Sequence, residues 1–250
     1  MKTTEVLQPP STFAPAAAAL GIEFEPGDVE KLGRYLALLL ETNKQFNLTA
    51  IKDPDEAWSR HILDSLTLIA LLAELPKQAK VIDVGSGGGL PGIPLAIVMP
   101  HLRFTLLEAT GKKAEFLRKA IEGLELTNTN VVLGRAETVG QSGSHRERYD
   151  AVVARAVGPM AVIAELTVPL AKVGDDESPG RVLLIKGQKA DEELAAAKQA
   201  LHELHVLHTG TVDTPTGRIV VLEKRRKTPA KYPRRDGEPK RAPLGLGREG

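Results

Sequence analysis

The residues best suited to chemistry lie in the stretch Val-Ile-Asp-Val-Gly-Ser-Gly-Gly-Gly-Leu-Pro-Gly-Ile-Pro that begins at Val81. Within it Asp83, Gly85, Gly87 and Gly89 recur at every second position. Glycine there lets a ligand lie against the backbone where a Cβ would collide, and Asp83 adds an acceptor at the end of an apolar run. A dinucleotide loop reads G-x-G-x-x-G, and counted from Gly85 its third glycine would fall on Leu90. A phosphate-cradling loop closes on Gly-Lys-Ser/Thr, and no such pair follows. Neither phosphate-binding spacing is met. Glu108 ends the next apolar run, where a carboxylate can accept from both ribose hydroxyls of an adenine-containing cofactor or simply cap a helix. Ala136-Glu137 follows a third run and offers a backbone amide beside an acceptor. Arg155 ends a fourth with a permanent cation and five donors. Its structural alternative is a pairing with Glu137 or a helix C-terminus.

A second group precedes the glycine loop. Asn43, Lys44, Asn47, Thr49, Arg60 and His61 crowd into nineteen residues. Asn and Thr can read base edges, and Lys or Arg can hold phosphate. Helix capping and turn formation compete as explanations for Asn47 and Thr49, and a satisfied core position for His61. Lys112, Lys113 and Lys186 are placed to meet phosphate or to remain solvated. His202, His205 and His208 are spaced by three across a helix end with no carboxylate or thiol to complete a set, so no metal site is expected.

Charge points to a polyanionic partner. From Lys224 to Gly250 there are ten Lys or Arg against three Asp or Glu, a net +7, whereas the first 223 residues carry −6. RNA, DNA and anionic lipid are all eligible, with a solvated tail as the alternative. Arg225, Arg226, Arg234 and Arg235 are the tail's candidate contacts, in a segment whose prolines should keep it extended. The chain has no cysteine, which excludes disulfides, thiolate metal sites and a cysteine nucleophile. It also lacks an 18-residue apolar run and a signal-peptide layout, which suggests a cytoplasmic protein without a membrane span.

The elements that must position these residues alternate. Residues 1–24 lack a convincing period and read as disordered. Residues 25–76 read as helical, with Val29, Leu32, Leu36, Leu39 and Leu40 on one helix face and a second helix over 55–72. From 77 to 224 strand and helix alternate, ending in a hairpin through Thr214–Gly217, with Asp191 placed to cap a late helix. The pattern predicts an α/β, doubly wound, mostly parallel sheet with an antiparallel last strand, plus the N-terminal helical region. Residues 225–250 form the basic tail.

The D-x-G-x-G-x-G loop resembles the adenosylmethionine-binding loop of class I methyltransferases, Rossmann-like proteins. At the end of the fourth strand, Ala-Arg-Ala-Val-Gly lacks the Pro-Pro-aromatic pattern of enzymes that act on exocyclic amino groups. The longer strings NKQFNLTAIKDPDEAWSRHILDSL, VIDVGSGGGLPGIPLAIVMP and FTLLEATGKKAEFL, with RAE, VARAV and LLIKG, resemble the RsmG (GidB) family over roughly residues 28–224. The resemblance implies a methyltransferase acting on guanine N7 of 16S rRNA with S-adenosylmethionine as cofactor. Its substrate would be the rRNA, the small subunit or an assembly intermediate, and nothing requires more than a monomer. Carried onto this sequence, the cofactor contacts are Gly85, Leu90, Ala136, Glu137 and Arg155, with Glu108, Ala109 and Thr110 at the ribose. One departure is Glu108, where many members carry aspartate. Two other readings remain open from the residues alone, an NAD-dependent oxidoreductase and a non-catalytic RNA-binding module.

Overall fold

The computed structural model describes residues 6–155 and 158–245. Its centre is one seven-stranded sheet in the order β3-β2-β1-β4-β5-β7-β6. Strands β1 (Lys80–Val84), β2 (Arg103–Glu108), β3 (Thr129–Leu133), β4 (Ala151–Arg155) and β5 (Gly180–Lys186) run parallel. The last strand, β7 (Arg218–Lys224), lies antiparallel between β5 and the edge strand β6 (Leu207–Asp213). Side chains alternate between two cores. Val81, Phe104, Val153 and Leu183 face one, and Ile82, Leu107, Val152 and Leu184 face the other. Strands buried on both faces need continuous apolar runs, which is why these segments show no polar alternation. The strand order turns back at β1 and β4, so their carboxyl ends leave a crevice, the usual ligand position of such sheets.

Helices α1 (Phe13–Ala19) and α2 (Asp28–Asn43) lie over the first face. So do the short α3 (Pro54–Ala57), α4 (Asp64–Leu66) and α5 (Ile69–Leu72). Helices α6 (Gly92–Val98) and α7 (Gly111–Gly123) complete that layer. The second face is covered by α8 (Ala136–Gln141), α9 (Met160–Thr167), α10 (Ala190–Ala196) and α11 (Lys198–Glu203). The N-terminal helices share one core with the sheet, Leu32, Leu36 and Trp58 packing in the same cluster as Val81 and Phe104.

Four expectations are corrected. Disorder of residues 1–24 does not hold for residues 6–24. Phe13 is buried edge-on against Trp58, with centroids 4.7 Å apart, and stacks on Phe24 at 5.7 Å. The partner that orders α1 is 45 residues away in sequence, so no local period announces it. Residues 1–5 lie outside the described residues. The single helix over 55–72 is instead a chain of short pieces, with a π-helical turn Trp58–Leu63 between α3 and α4 and a bend before α5. Such wide turns recur at functional sites, and this one carries Arg60 and His61. Asp191 is not a cap. It sits in the first turn of α10, after Lys189, and pairs with Arg218.

The basic tail is folded rather than extended as far as residue 245. Tyr232 is buried, and a short helix α12 (Glu238–Arg241) follows it. Arg234 binds Glu165 of α9 through Nε at 2.8 Å and Nη2 at 2.6 Å. Arg146 donates to the carbonyls of Gly140, Thr228, Pro229 and Tyr232 at 2.6–3.3 Å. Glu165 explains the difference: it is a fully buried carboxylate in an apolar helix, and among the described residues its partner is Arg234, through the guanidinium and the backbone N–H.

Candidate functional site

A cavity of about 560 Å³ opens at the carboxyl ends of β1, β4 and β5. One wall is the loop Gly85–Gly88 with Leu90. Arg155, Ile185, Lys186 and Gly187 bring the ends of β4 and β5 to it. The opposite wall comes from the N-terminal layer, through Leu48–Ile51, Arg60, His61 and Asp64. Glu193 and Thr216 complete the lining.

The glycine loop is held from behind. Gly85 and Gly87 adopt φ of 74° and 56°, a left-handed region that costs glycine little. The Tyr35 hydroxyl donates to the Gly88 carbonyl at 2.7 Å, tying α2 to the loop. Glu108 accepts the amide protons of Gly87 at 2.9 Å and Thr110 at 2.7 Å, one on each oxygen. A carboxylate has about four lone-pair sites, so each oxygen keeps one for a ligand hydroxyl. Asp83 lies behind the loop, fully buried, one oxygen accepting from Gly92 at 3.0 Å and the other without a partner. Burial pushes its carboxyl up to about 7.

The facing wall is a polar chain. Arg155 donates to the Arg60 carbonyl at 2.8 Å, to Asp64 at 3.1 Å and to His61 Nδ1 at 3.2 Å. Thr216, in the turn before β7, donates to the other Asp64 oxygen. His61 Nε2 lies 2.7 Å from Thr49 Oγ1, which accepts the Ile51 amide proton at 3.1 Å. Asn43 fixes the Thr49 backbone, accepting from its N–H at 3.0 Å and donating to its carbonyl at 2.9 Å. Burial, with the Arg155 cation beside it, lowers the His61 pKa to about 4, so the ring is neutral at pH 7.

The expected site residues divide accordingly. Gly85, Gly87, Leu90, Arg155, Arg60, His61 and Lys186 line the cavity. Glu108 supports it from behind, while Ala109 and Thr110 are exposed beyond β2. Ala136 and Glu137 do not reach it. Glu137 is buried, accepting from Arg135 at 3.0 Å and from the Gly237 amide at 2.8 Å, because the folded tail covers α8. Asn47 is exposed just ahead of the wall, whereas Asn43 is the residue that builds the turn. Among the phosphate candidates, Lys186 is bound to Glu193 at 2.6 Å and to the Gly158 carbonyl at 2.7 Å. Arg234 is taken by Glu165, and Arg225 pairs with Asp176 and Glu223. Lys44 pairs with Glu41; Lys112, Arg226 and Arg235 are exposed. Asp64, Thr216 and Tyr35 were not anticipated. Asp64 stands in the same RHILDS string as His61, four residues after Arg60, which was the available signal.

An open, mostly parallel sheet with a glycine loop and carboxylate at the ends of its first two strands defines a class I methyltransferase fold. Two solved structures show the same fold at 18% identity and a TM-score of 0.50. One is a mutant of MtNAS in complex with S-adenosylmethionine, matched over 86% of this chain and 85% of that one. The other is Aeropyrum pernix fibrillarin with natively bound S-adenosyl-L-methionine, matched over 64% and 73%. The model of the family described as rRNA small subunit methyltransferase G matches residues 28–218. Ribosomal RNA small subunit methyltransferase G of Sorangium cellulosum is 49% identical over 92% of this chain and 93% of its own. The protein of that name from Leuconostoc citreum is 40% identical over 93% and 98%. The chain belongs to the rRNA small subunit methyltransferase G family, and is an enzyme that methylates small-subunit rRNA with S-adenosylmethionine as methyl donor.

Proposed function

We propose that the protein methylates N7 of a guanine in 16S rRNA, presented unpaired or extruded. The observation that carries this reading is that every titratable side chain lining the cavity is already engaged. Asp64 serves Arg155 and Thr216, Glu193 serves Lys186, and Arg60 pairs with Glu56. Both His61 nitrogens are occupied. Among the described residues no titratable lining side chain is without a partner, so none stands free to act as a general base. Guanine N7 needs none, since its lone pair lies in the base plane facing the major groove. An exocyclic amine would have to lose a proton.

S-adenosylmethionine held in the cavity would supply a methyl group that the N7 lone pair can take, its sulfonium sulfur departing as a neutral thioether. The loop from Gly85 to Gly88, with Leu90, would hold the methionine portion, since a Cβ at Gly87 meets no protein atom nearer than the Gly85 carbonyl oxygen at 3.8 Å and so leaves room beside the backbone for a ligand. Glu108 takes the ribose hydroxyls with its spare lone pairs, Ala109 and Thr110 standing beside it. Ala136, outside the cavity, could meet only an adenine that extends beyond it toward the end of β3. Arg155 organises the wall and stays away from N7, where a cation would oppose the positive charge that forms. Positioning of this kind is worth roughly 7–11 kcal/mol of barrier. A duplex base cannot enter such a crevice, which favours a loop substrate. Lys112, Arg226 and Arg235 offer exposed cations for the surrounding phosphates, on a monomeric protein.

The test is methyl transfer from labelled S-adenosylmethionine to small-subunit rRNA, and to small subunits, from cells lacking the protein. Labelled 7-methylguanosine supports the reading. Label recovered in any other nucleoside refutes it.

A further inference from the structure

The wall facing the glycine loop presents one hydroxyl whose hydrogen bonding is almost completely spent. Thr49 lines the cavity with its backbone N–H and carbonyl both held by Asn43. That leaves the oxygen Oγ1. It accepts the Ile51 amide proton at 3.1 Å. Its second neighbour is His61 Nε2 at 2.7 Å, and the direction of that bond is fixed by the other side of the ring. A guanidinium can only donate, so the Arg155 contact makes Nδ1 an acceptor. The Arg60 carbonyl, 3.2 Å from Nδ1, could accept a second proton beside the one from Arg155, but a proton on Nδ1 would face the Arg155 guanidinium donor to donor. The ring proton therefore sits on Nε2 and is donated to Thr49. Both lone pairs of Oγ1 are then used, and the single remaining valence is its own O–H. Among the described residues nothing accepts that proton.

We propose that Thr49 is a specificity-determining residue, its hydroxyl donating to O6 of the target guanine, with His61 and Asn43 as positioning residues behind it. The assignment rests on the guanine-N7 reading. Guanine presents two adjacent acceptors on its major-groove edge, O6 and N7, whereas adenine places an N6 amino donor where O6 would be. A donor-only hydroxyl binds the first arrangement and meets the second donor to donor. The contact also leaves N7 itself uncovered for attack. Arg155, Asp64 and Thr216 extend the same chain to the turn before β7, so the hydroxyl's direction is set by four segments far apart in sequence.

The experiment compares target guanine with 2-aminopurine, which keeps N7 and the 2-amino group but lacks O6. The methylated position is first mapped with the unaltered enzyme, and rRNA is then ligated with either base at that position. The readout is the ratio of kcat/KM for guanine over 2-aminopurine, which cancels general losses of activity. Thr49→Val should reduce that ratio about tenfold, the size of one hydrogen bond. Thr49→Ser should keep it, and S-adenosylmethionine affinity by calorimetry should be unchanged in both. Thr49→Ala serves as a second variant should Thr49→Val fail to fold. An unaltered ratio in the valine and alanine variants overturns the assignment. If the unaltered enzyme makes no 7-methylguanosine, the guanine reading itself falls and takes this one with it.

Discussion

At the scale of single residues, two buried titratable groups shape the protein's response to pH in opposite senses. Asp83 has its pKa raised by burial to about 7, above the 3.8 of an exposed carboxyl. Its contribution to stability is present below pH 3.8 and is lost as pH rises through about 7, a change of about 4 kcal/mol. His61 is lowered from 6.5 to about 4, so its contribution is present above pH 6.5 and lost as pH falls through about 4. Asp83→Asn should therefore gain stability relative to the parent by about 4 kcal/mol between pH 4 and pH 8, measured by urea unfolding at both values. An equal difference at the two pH values would contradict the burial account. Glu108→Gln should weaken S-adenosylmethionine binding at least tenfold in calorimetry, because an amide can accept only one of the two loop N–H bonds. The spacing Asp83-x-Gly85-x-Gly87 and the strand-end Glu108 were readable from sequence, since each is a local signal. The partner of Arg155 was not. Its carboxylate, Asp64, lies 91 residues earlier, and only the fold brings the two together.

Elements were legible where a period or a glycine marked them and illegible where tertiary contacts decide. The five parallel strands and the hairpin of β6 and β7 announce themselves as apolar runs between turns. Helix α1 does not, being a run of alanines held by one phenylalanine. Phe13→Ala should cost about 3–5 kcal/mol in denaturant unfolding, the usual cost of removing a buried aromatic ring. If residues 6–24 were loosely attached, the same change would cost nothing measurable. Gly33 belongs to this scale as well, because a Cβ there would lie 2.3 Å from the Leu7 carbonyl oxygen and lift the N-terminal segment off α2. The π-helical turn was hidden for another reason. Trp58–Leu63 keeps a helical apolar pattern, and the extra residue in the turn shows only in three dimensions.

For the whole molecule, net charge by segment suggested a body and a tail, and the structure merges them. Lys224 is fully buried against Glu147 and the carbonyls of Val168 and Ala171, so the tail's first cation is structural. Burial lowers its pKa to about 8. Removing residues 228–250 should cost about 3–5 kcal/mol or more, because Glu165 would stay buried without Arg234. A fall in melting temperature measures it, and an unchanged value would show the segment to be dispensable. RNA contacts by the tail are better tested at exposed cations. Replacing Arg226 and Arg235 by Gln should reduce the salt dependence of rRNA binding by up to about two phosphate equivalents while leaving the melting temperature in place.

The bond between Arg234 and Glu165 also bears on how the chain is made. Glu165 emerges 69 residues before its cation, so a growing polypeptide carries an unmatched carboxylate at the heart of its second core until nearly the last turn is synthesised. A chain stopped at residue 227 has every strand of the sheet and still lacks that counter-charge. Length is thereby written into stability, and a prematurely ended product is the less stable one that proteases meet first.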